Sequence, residues 1–166
     1  MKNSINFRTH IVKVDIPDDL NVIFGMSHFI KTVEDLYETL VESSPSLKFG
    51  IAFCEASQKR LIRTDGNNDD LIKRAAKAAF DVGCGHSFFI FLRDGFPVNV
   101  LNRIKNVSEV VHIFCATANP LEVIVAETDM GRGVLAVVDG QAPLDIETDE
   151  DKKERAAFLR TIGYKR

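Results

Sequence analysis

The sequence predicts a single α/β domain in which a sheet of mixed strand direction is flanked by helices. Three observations lead there. Val110-Val111-His112-Ile113-Phe114 is apolar enough to be a nearly buried strand, and Phe49 to Cys54 and Ser87 to Leu92 are short strands of the same kind. Between such segments, apolar residues recur at helical spacing, as in Leu71, Ile72, Ala75, Ala76, Ala79 and Val82. The chain of 166 residues is long enough to bury a core, and it contains no repeat, low-complexity segment or dividing linker. Residues 1–166 are therefore read as one domain.

In chain order, residues 8–16 alternate as a half-buried strand does, and Pro17-Asp18-Asp19 turns into a second strand at Asn21 to Gly25. Thr32 and Asp35 resemble a capping box ahead of Val33, Leu36, Tyr37, Leu40 and Val41, a helix that stops at Ser43-Ser44-Pro45. After the strand ending at Cys54, Arg60 to Arg63 reads as another. The turn Asp65-Gly66-Asn67-Asn68 then precedes a helix with a narrow small-residue face, closed by Gly83. Pro97 suits the first turn of a short helix through Lys105. Strands follow at 110–116, 121–126 and 134–138, the last two as a hairpin. Thr148 and Asp151 cap a final helix reaching about Thr161.

Composition excludes several classes of function. With 45% apolar residues and mixed charge, the chain is not disordered. A net charge of -3 offers no basic field for a nucleic-acid backbone. Met1-Lys2-Asn3-Ser4 has no apolar core behind it and no run approaches a membrane span, so neither secretion nor membrane insertion is expected. Cys54, Cys84 and Cys115 form no C-x-x-C pair, and an odd count without a signal peptide points to the cytoplasm. His10, His28, His86 and His112 lack metal-ligand spacing, so no metal site is expected.

Chemistry is carried by short segments at element ends. The strand to Phe114 runs into Cys115-Ala116-Thr117-Ala118-Asn119-Pro120, small and hydrogen-bonding, which fits a ligand wall or a tight Asn-Pro turn. Gly83-Cys84-Gly85-His86-Ser87 holds a histidine in a low-bulk setting. His86 could carry a phosphoryl group or a proton, or simply begin a strand behind a glycine cap. Glu55 and Ser57 end a buried strand, where a carboxylate could bind a ribose hydroxyl or a metal, or be solvated. Asp65 belongs to a turn and helix cap whose free N–H groups would also suit an anion. Arg132, between Gly131 and Gly133, could meet a phosphate bidentately or sit in a hairpin loop that closes again near Asp139. G-x-x-x-x-G-K-[ST], G-x-G-x-x-G and H-R-D are all absent.

Taken together, Gly50-Ile51-Ala52-Phe53-Cys54-Glu55-Ala56-Ser57, Thr64-Asp65-Gly66-Asn67, Gly85-His86-Ser87-Phe88, Gly95-Phe96-Pro97-Val98-Asn99-Val100-Leu101-Asn102, Ala116 to Pro120, Gly131-Arg132-Gly133, Val138-Asp139-Gly140 and the closing Leu159-Arg160 and Ile162-Gly163-Tyr164-Lys165 resemble the adenosine-specific kinase family of archaea and bacteria. The resemblance implies a three-layer α/β/α sandwich that binds adenosine, AMP or another adenine nucleotide near subunit contacts of a homo-oligomer, a trimer or a multiple of one. It implies a phosphotransferase working through a phosphohistidine, which by motif position is His86. Glu55, Ser57, Asp65, Ser87, Asn99, Thr117, Asn119, Arg132, Gly133 and Asp139 are then the candidate substrate-binding residues. The cofactor stays open, with Mg²⁺ accompanying ATP as the candidate, and a sensor of adenine nucleotides without turnover is the alternative function. Two positions depart from the family pattern: Cys84 stands where alanine is expected, and Gln58 where glycine is.

Overall fold

The computed structural model describes residues 7–166, so the leader reading of Met1 to Ser4 lies outside the described residues. The elements run β1 (Arg8–Val14), β2 (Asn21–Ser27), α1 (Thr32–Val41), β3 (Lys48–Cys54), β4 (Ile62–Gly66), α2 (Asp69–Val82), β5 (Ser87–Arg93), α3 (Pro97–Lys105), β6 (Val110–Thr117), β7 (Leu121–Glu127), β8 (Arg132–Asp139) and α4 (Asp149–Thr161). The strands form two sheets, β4-β3-β5-β2-β6 and β1-β7-β8.

The expected single sheet of mixed direction is corrected, because every pairing of named strands among the described residues is antiparallel. The reason lies in the crossovers. α1 carries the chain from β2 to β3, two strands that run the same way but are separated by β5. α2 joins β4 to β5 across β3, and α3 joins β5 to β6 across β2. Each strand-helix-strand unit is split by an inserted antiparallel strand. The alternation of helices and strands thus looks like a parallel-sheet protein in sequence.

Side chains of the larger sheet alternate between two cores, as the pleat requires. Ile23, Phe49, Ile51, Phe53, Phe88, Ile90 and Leu92 face Val33, Leu36 and Leu40 of α1 and Val100 and Ile104 of α3. Val22, Phe24, Ala52, Cys54, Phe89 and Phe91 face the other way. That second face is covered jointly by α2, through Leu71, Ala75, Ala78, Ala79 and Val82, and by the inner row of the small sheet, Val14, Leu121, Val123 and Val125. Where the sequence suggested a layer of helices, a second sheet takes part of the layer.

The small-residue face of α2 has a direct cause. Gly50 on β3 lies so close to the α2 backbone that a Cβ there would collide with Leu71 and Ile72. Ala75, Ala78 and Ala79 continue the buried face of α2 beyond this contact. Asn68 caps α2 by accepting from Leu71 N–H, and Gly83 ends it in the left-handed conformation, both as the sequence suggested. The capping box expected at Thr32 is corrected: α1 begins at Thr32 itself, behind Lys31. The Thr32 hydroxyl is buried against Ser27 Oγ, 2.6 Å away, and donates to the Phe29 carbonyl, while Asp35 pairs with Lys31.

Replacing Gly50 by Ala should therefore cost about 1–3 kcal/mol, the range for overpacking a tight contact. Urea denaturation showing no loss would contradict the close approach of α2 to β3.

Candidate functional site

His86 sits at the head of β5, immediately before Ser87. Its N–H donates to the Cys54 carbonyl at 2.7 Å, and its carbonyl accepts from Ser27 N–H at 3.0 Å. The residue thereby joins the ends of β3 and β2, the two neighbours of β5. It does so with φ at 65°, a left-handed conformation that side chains other than glycine rarely take. The half-buried imidazole lies stacked on Phe53, with ring centroids 5.8 Å apart. Gly85, just before it, packs tightly: a Cβ there would lie 3.0 Å from that of Ala56.

Arg132 approaches the same end of the sheet. Cys84 forms an isolated parallel bridge with Arg132, so the start of β8 abuts the Gly83-Cys84-Gly85 segment. The guanidinium donates through Nε to Glu127 at 2.6 Å and through Nη1 to the Asp81 carbonyl at 3.2 Å. It caps the carbonyl end of α2 and supplies positive charge where the helix dipole is negative. Arg132 holds the Glu127 carboxyl below its usual range, with lesser help from His10 and Arg8. Gly83, Glu127, Thr128, Met130, Gly131 and Arg132 line a shallow cleft of about 310 Å³. Gly133, one residue on, has open space where a side chain would be. Burial pushes the Cys84 thiol up to about 11, so it stays protonated beside this cleft near neutrality.

Glu55 and Ser57 lie at the same end but serve the loop between β3 and β4. The Glu55 carboxylate accepts from Leu61 N–H at 3.1 Å and from Arg63 Nη2 at 3.1 Å to both oxygens. The Leu61 N–H, foremost, and the Arg63 guanidinium hold its carboxyl below the usual range. Ser57 is exposed, and its carbonyl accepts from Arg60 N–H. Within that turn Gln58 has φ at 56°. The glycine of the resembled family fits this conformation freely, and here glutamine occupies it under strain.

Ser87, a candidate substrate-binding residue, is engaged by its own loop. Its side chain is buried and donates to the Cys84 carbonyl at 2.7 Å. Two further candidates, Asp65 and Asn99, are also occupied by local structure. Asp65, on the edge strand opposite Ile51, accepts from Gly66 N–H at 2.7 Å. Asn99 accepts from Phe96 N–H at 2.9 Å and ties off the start of α3. Asn67 in the neighbouring turn bonds the Phe49 N–H and the Leu47 carbonyl, which fixes the turn to β3.

Thr117, Asn119 and Asp139 do form a cluster. Asp139 accepts from Thr117 Oγ1 at 2.6 Å and from Asn119 Nδ2 at 3.1 Å, and Thr117 Oγ1 accepts from Asn119 N–H at 2.9 Å. Its position is the surprise. Thr117 pairs with Val22 at the start of β2, whereas His86 bonds Ser27 at the end. Five extended residues separate the two points, roughly 16 Å. Within one chain, Thr117 cannot donate to a group on His86. Among the described residues no three of His, Cys, Asp and Glu converge as metal ligands.

Sequence reasoning missed Phe53 as the platform for His86 and Glu127 as the partner of Arg132. The second was legible, since the hairpin register sets Glu127 directly opposite Arg132. His112 lies on the edge strand β6, exposed, with its ring edge-on to Phe114 at 4.8 Å. His28 is exposed just beyond β2, one residue past the His86 contact.

Residues 12–165 match the family model described as adenosine specific kinase, so the chain belongs to that family. The chain is also similar to the PH1918 protein of Pyrococcus horikoshii OT3, whose crystal structure superposes with a TM-score of 0.93. The two are 46% identical, over 97% of this chain and 99% of that one. No curated protein matches significantly.

Two outcomes are expected from the loop at Glu55. Because the folded carboxyl is held low, its stabilising effect is present above the ordinary carboxylate range and is lost as pH falls through it. Glu55→Gln should thus flatten the decline of thermal stability between about pH 5 and pH 3; an unchanged slope would dissociate Glu55 from acid stability. Gln58→Gly should relieve the left-handed strain and raise stability by up to about 1 kcal/mol, net of the added freedom of the unfolded chain. A loss on chemical denaturation would show the turn to be unstrained.

Proposed function

We propose that this member of the adenosine-specific kinase family transfers a phosphoryl group to adenosine through His86. The observation that carries the reading is the left-handed backbone of His86, clamped by two hydrogen bonds at the junction of three strands. Strain of this kind persists where surrounding structure over-determines it, and it clusters at functional sites. The clamp takes both backbone groups and leaves the imidazole nitrogens free to react.

In the first half-reaction a ring nitrogen of neutral His86 attacks the γ-phosphorus of ATP. The N–P bond forms as the bond to the bridging oxygen breaks, and ADP leaves with that electron pair. In the second, a ribose hydroxyl of adenosine attacks the same phosphorus, the N–P bond breaks, the hydroxyl proton is lost, and AMP and neutral His86 result. Catalysis of this kind is positioning and charge neutralisation. Arg132 is a fixed cation at the same end of the sheet, and the N–H groups about Gly131 and Gly133 lie on the same hairpin. Mg²⁺ entering with ATP would neutralise the remaining phosphate charge.

The Thr117-Asn119-Asp139 cluster enters as the nucleoside-recognition half. Asp139 preorders both neighbours and retains acceptor capacity for a ribose hydroxyl. Since some 16 Å of strand separates it from His86 within one chain, a single site built from both halves needs a subunit contact. A trimer, as the sequence resemblance implies, would provide it, and cytoplasmic location completes the picture. Nucleotide sensing without turnover would use the same cleft and differs only in the absence of phosphate transfer.

Incubation with γ-labelled ATP should give a base-stable, acid-labile label on the protein, discharged by adenosine as labelled AMP. His86→Ala should abolish the label while adenosine binding persists, and His112→Ala should retain it. A labelled His86→Ala protein would overturn the phosphohistidine; no label and no AMP in the wild type would leave the sensor reading. Adenosine should also bind more tightly than guanosine by about tenfold or more, the effect of one unpaired buried hydrogen-bonding group. Calorimetry giving equal affinities would remove the adenosine assignment.

A further inference from the structure

Beyond Asp139 the chain leaves its own domain. α4 has a complete capping box, Thr148 with Asp151, and paired charges along its length, yet none of its residues is buried. A helix of 13 residues is marginal in water, and exposed ion pairs add only about 0.3–0.5 kcal/mol each. The segment leading to it carries Leu144 and Ile146 at 102% and 88% exposure, and Phe158 on the helix is 60% exposed. Among the described residues, nothing covers the apolar side chains of this arm.

The small sheet has the complementary deficit. Its inner row packs on the core, but register places Ile11, Ile124 and Ala136 side by side across the outward face. Ile11 is 64% exposed, and Leu135 and Val138 on β8, at the far edge of the sheet, are exposed as well. An antiparallel sheet ordinarily turns polar residues to water on its free face. This one sets the apolar row Ile11-Ile124-Ala136 beside the ion pair of Lys13 with Glu122.

We infer that the C-terminal arm, residues 140–166, of one copy lies across the outward face of the three-stranded sheet of a second copy. Both unpartnered surfaces occur once per chain, so each copy offers one arm and receives one. The arm supplies roughly 25 residues, about what a standard-size interface takes from one side. The contact is head-to-tail, and closes only if the copies form a ring. The inference is independent of whether His86 transfers phosphate.

Two variants at exposed positions test it without disturbing the folded domain, which near-UV circular dichroism checks. Leu144→Asp with Ile146→Asp disables the arm, and Ile11→Lys disables the sheet face. By sedimentation velocity at micromolar concentration, the wild type should be an oligomer, and each variant a single chain of 18.5 kDa. Mixed in equal amounts, the two should form a one-to-one dimer, because one intact arm then meets one intact face. A monomeric wild type overturns the inference, as does a variant that stays assembled. Two monomeric variants that fail to combine would equally overturn the pairing of arm with sheet. Where Ile11→Lys does not fold, Val138→Lys on the same face replaces it in the mixture.

Discussion

Strand β5 is paired on both sides, buried on both faces, and begins at a residue that must bond both neighbours at once. That constraint organises the larger sheet. β2 and β3 run in the same direction because each is antiparallel to β5, and their ends are drawn together at His86. A left-handed residue costs about 1–2 kcal/mol. Two backbone hydrogen bonds contribute about 1 kcal/mol each, so the clamp and the strain nearly balance. The position is held by topology, and its side chain is free to be chosen for chemistry.

The same junction explains how Arg132 arrives. The hairpin of β7 and β8 belongs to the small sheet, which packs on the α2 side of the larger one. Its start meets the segment between Gly83 and His86, so an arginine from one sheet caps the helix that feeds the other. Glu127 fixes the guanidinium from across the hairpin, leaving part of its donor fork available. Charge placed there offsets the negative carbonyl end of α2.

Carboxylates and amides that looked like ligands in the sequence mostly serve the backbone. Glu55 closes a loop, Asp65 a turn, Asn99 a helix start, and Ser87 a glycine-rich bend. Polar residues at strand ends are ambiguous in this way, because a turn and a ligand ask for the same hydrogen bonds. The Thr117-Asn119-Asp139 cluster is internally bonded and also directed to one end of the sheet, where Asp139 keeps spare acceptor capacity.

Local chemistry was legible in the residues themselves. Apolar runs marked the buried strands, alanine spacing marked the face of α2, Asn68 and Gly83 marked its ends, and ordered motifs marked the family. Those features depend on neighbours in sequence, or on side-chain volume, which composition expresses directly. Strand direction did not follow, since a helix between two strands looks the same whether or not a third strand is inserted between them. Nor did the 16 Å separating His86 from Thr117, nor the meeting of Cys84 with Arg132, because each depends on pairings between residues far apart along the chain. Sequence alone determined which residues could do chemistry; which of them share a site was decided by the register of β2 between β5 and β6.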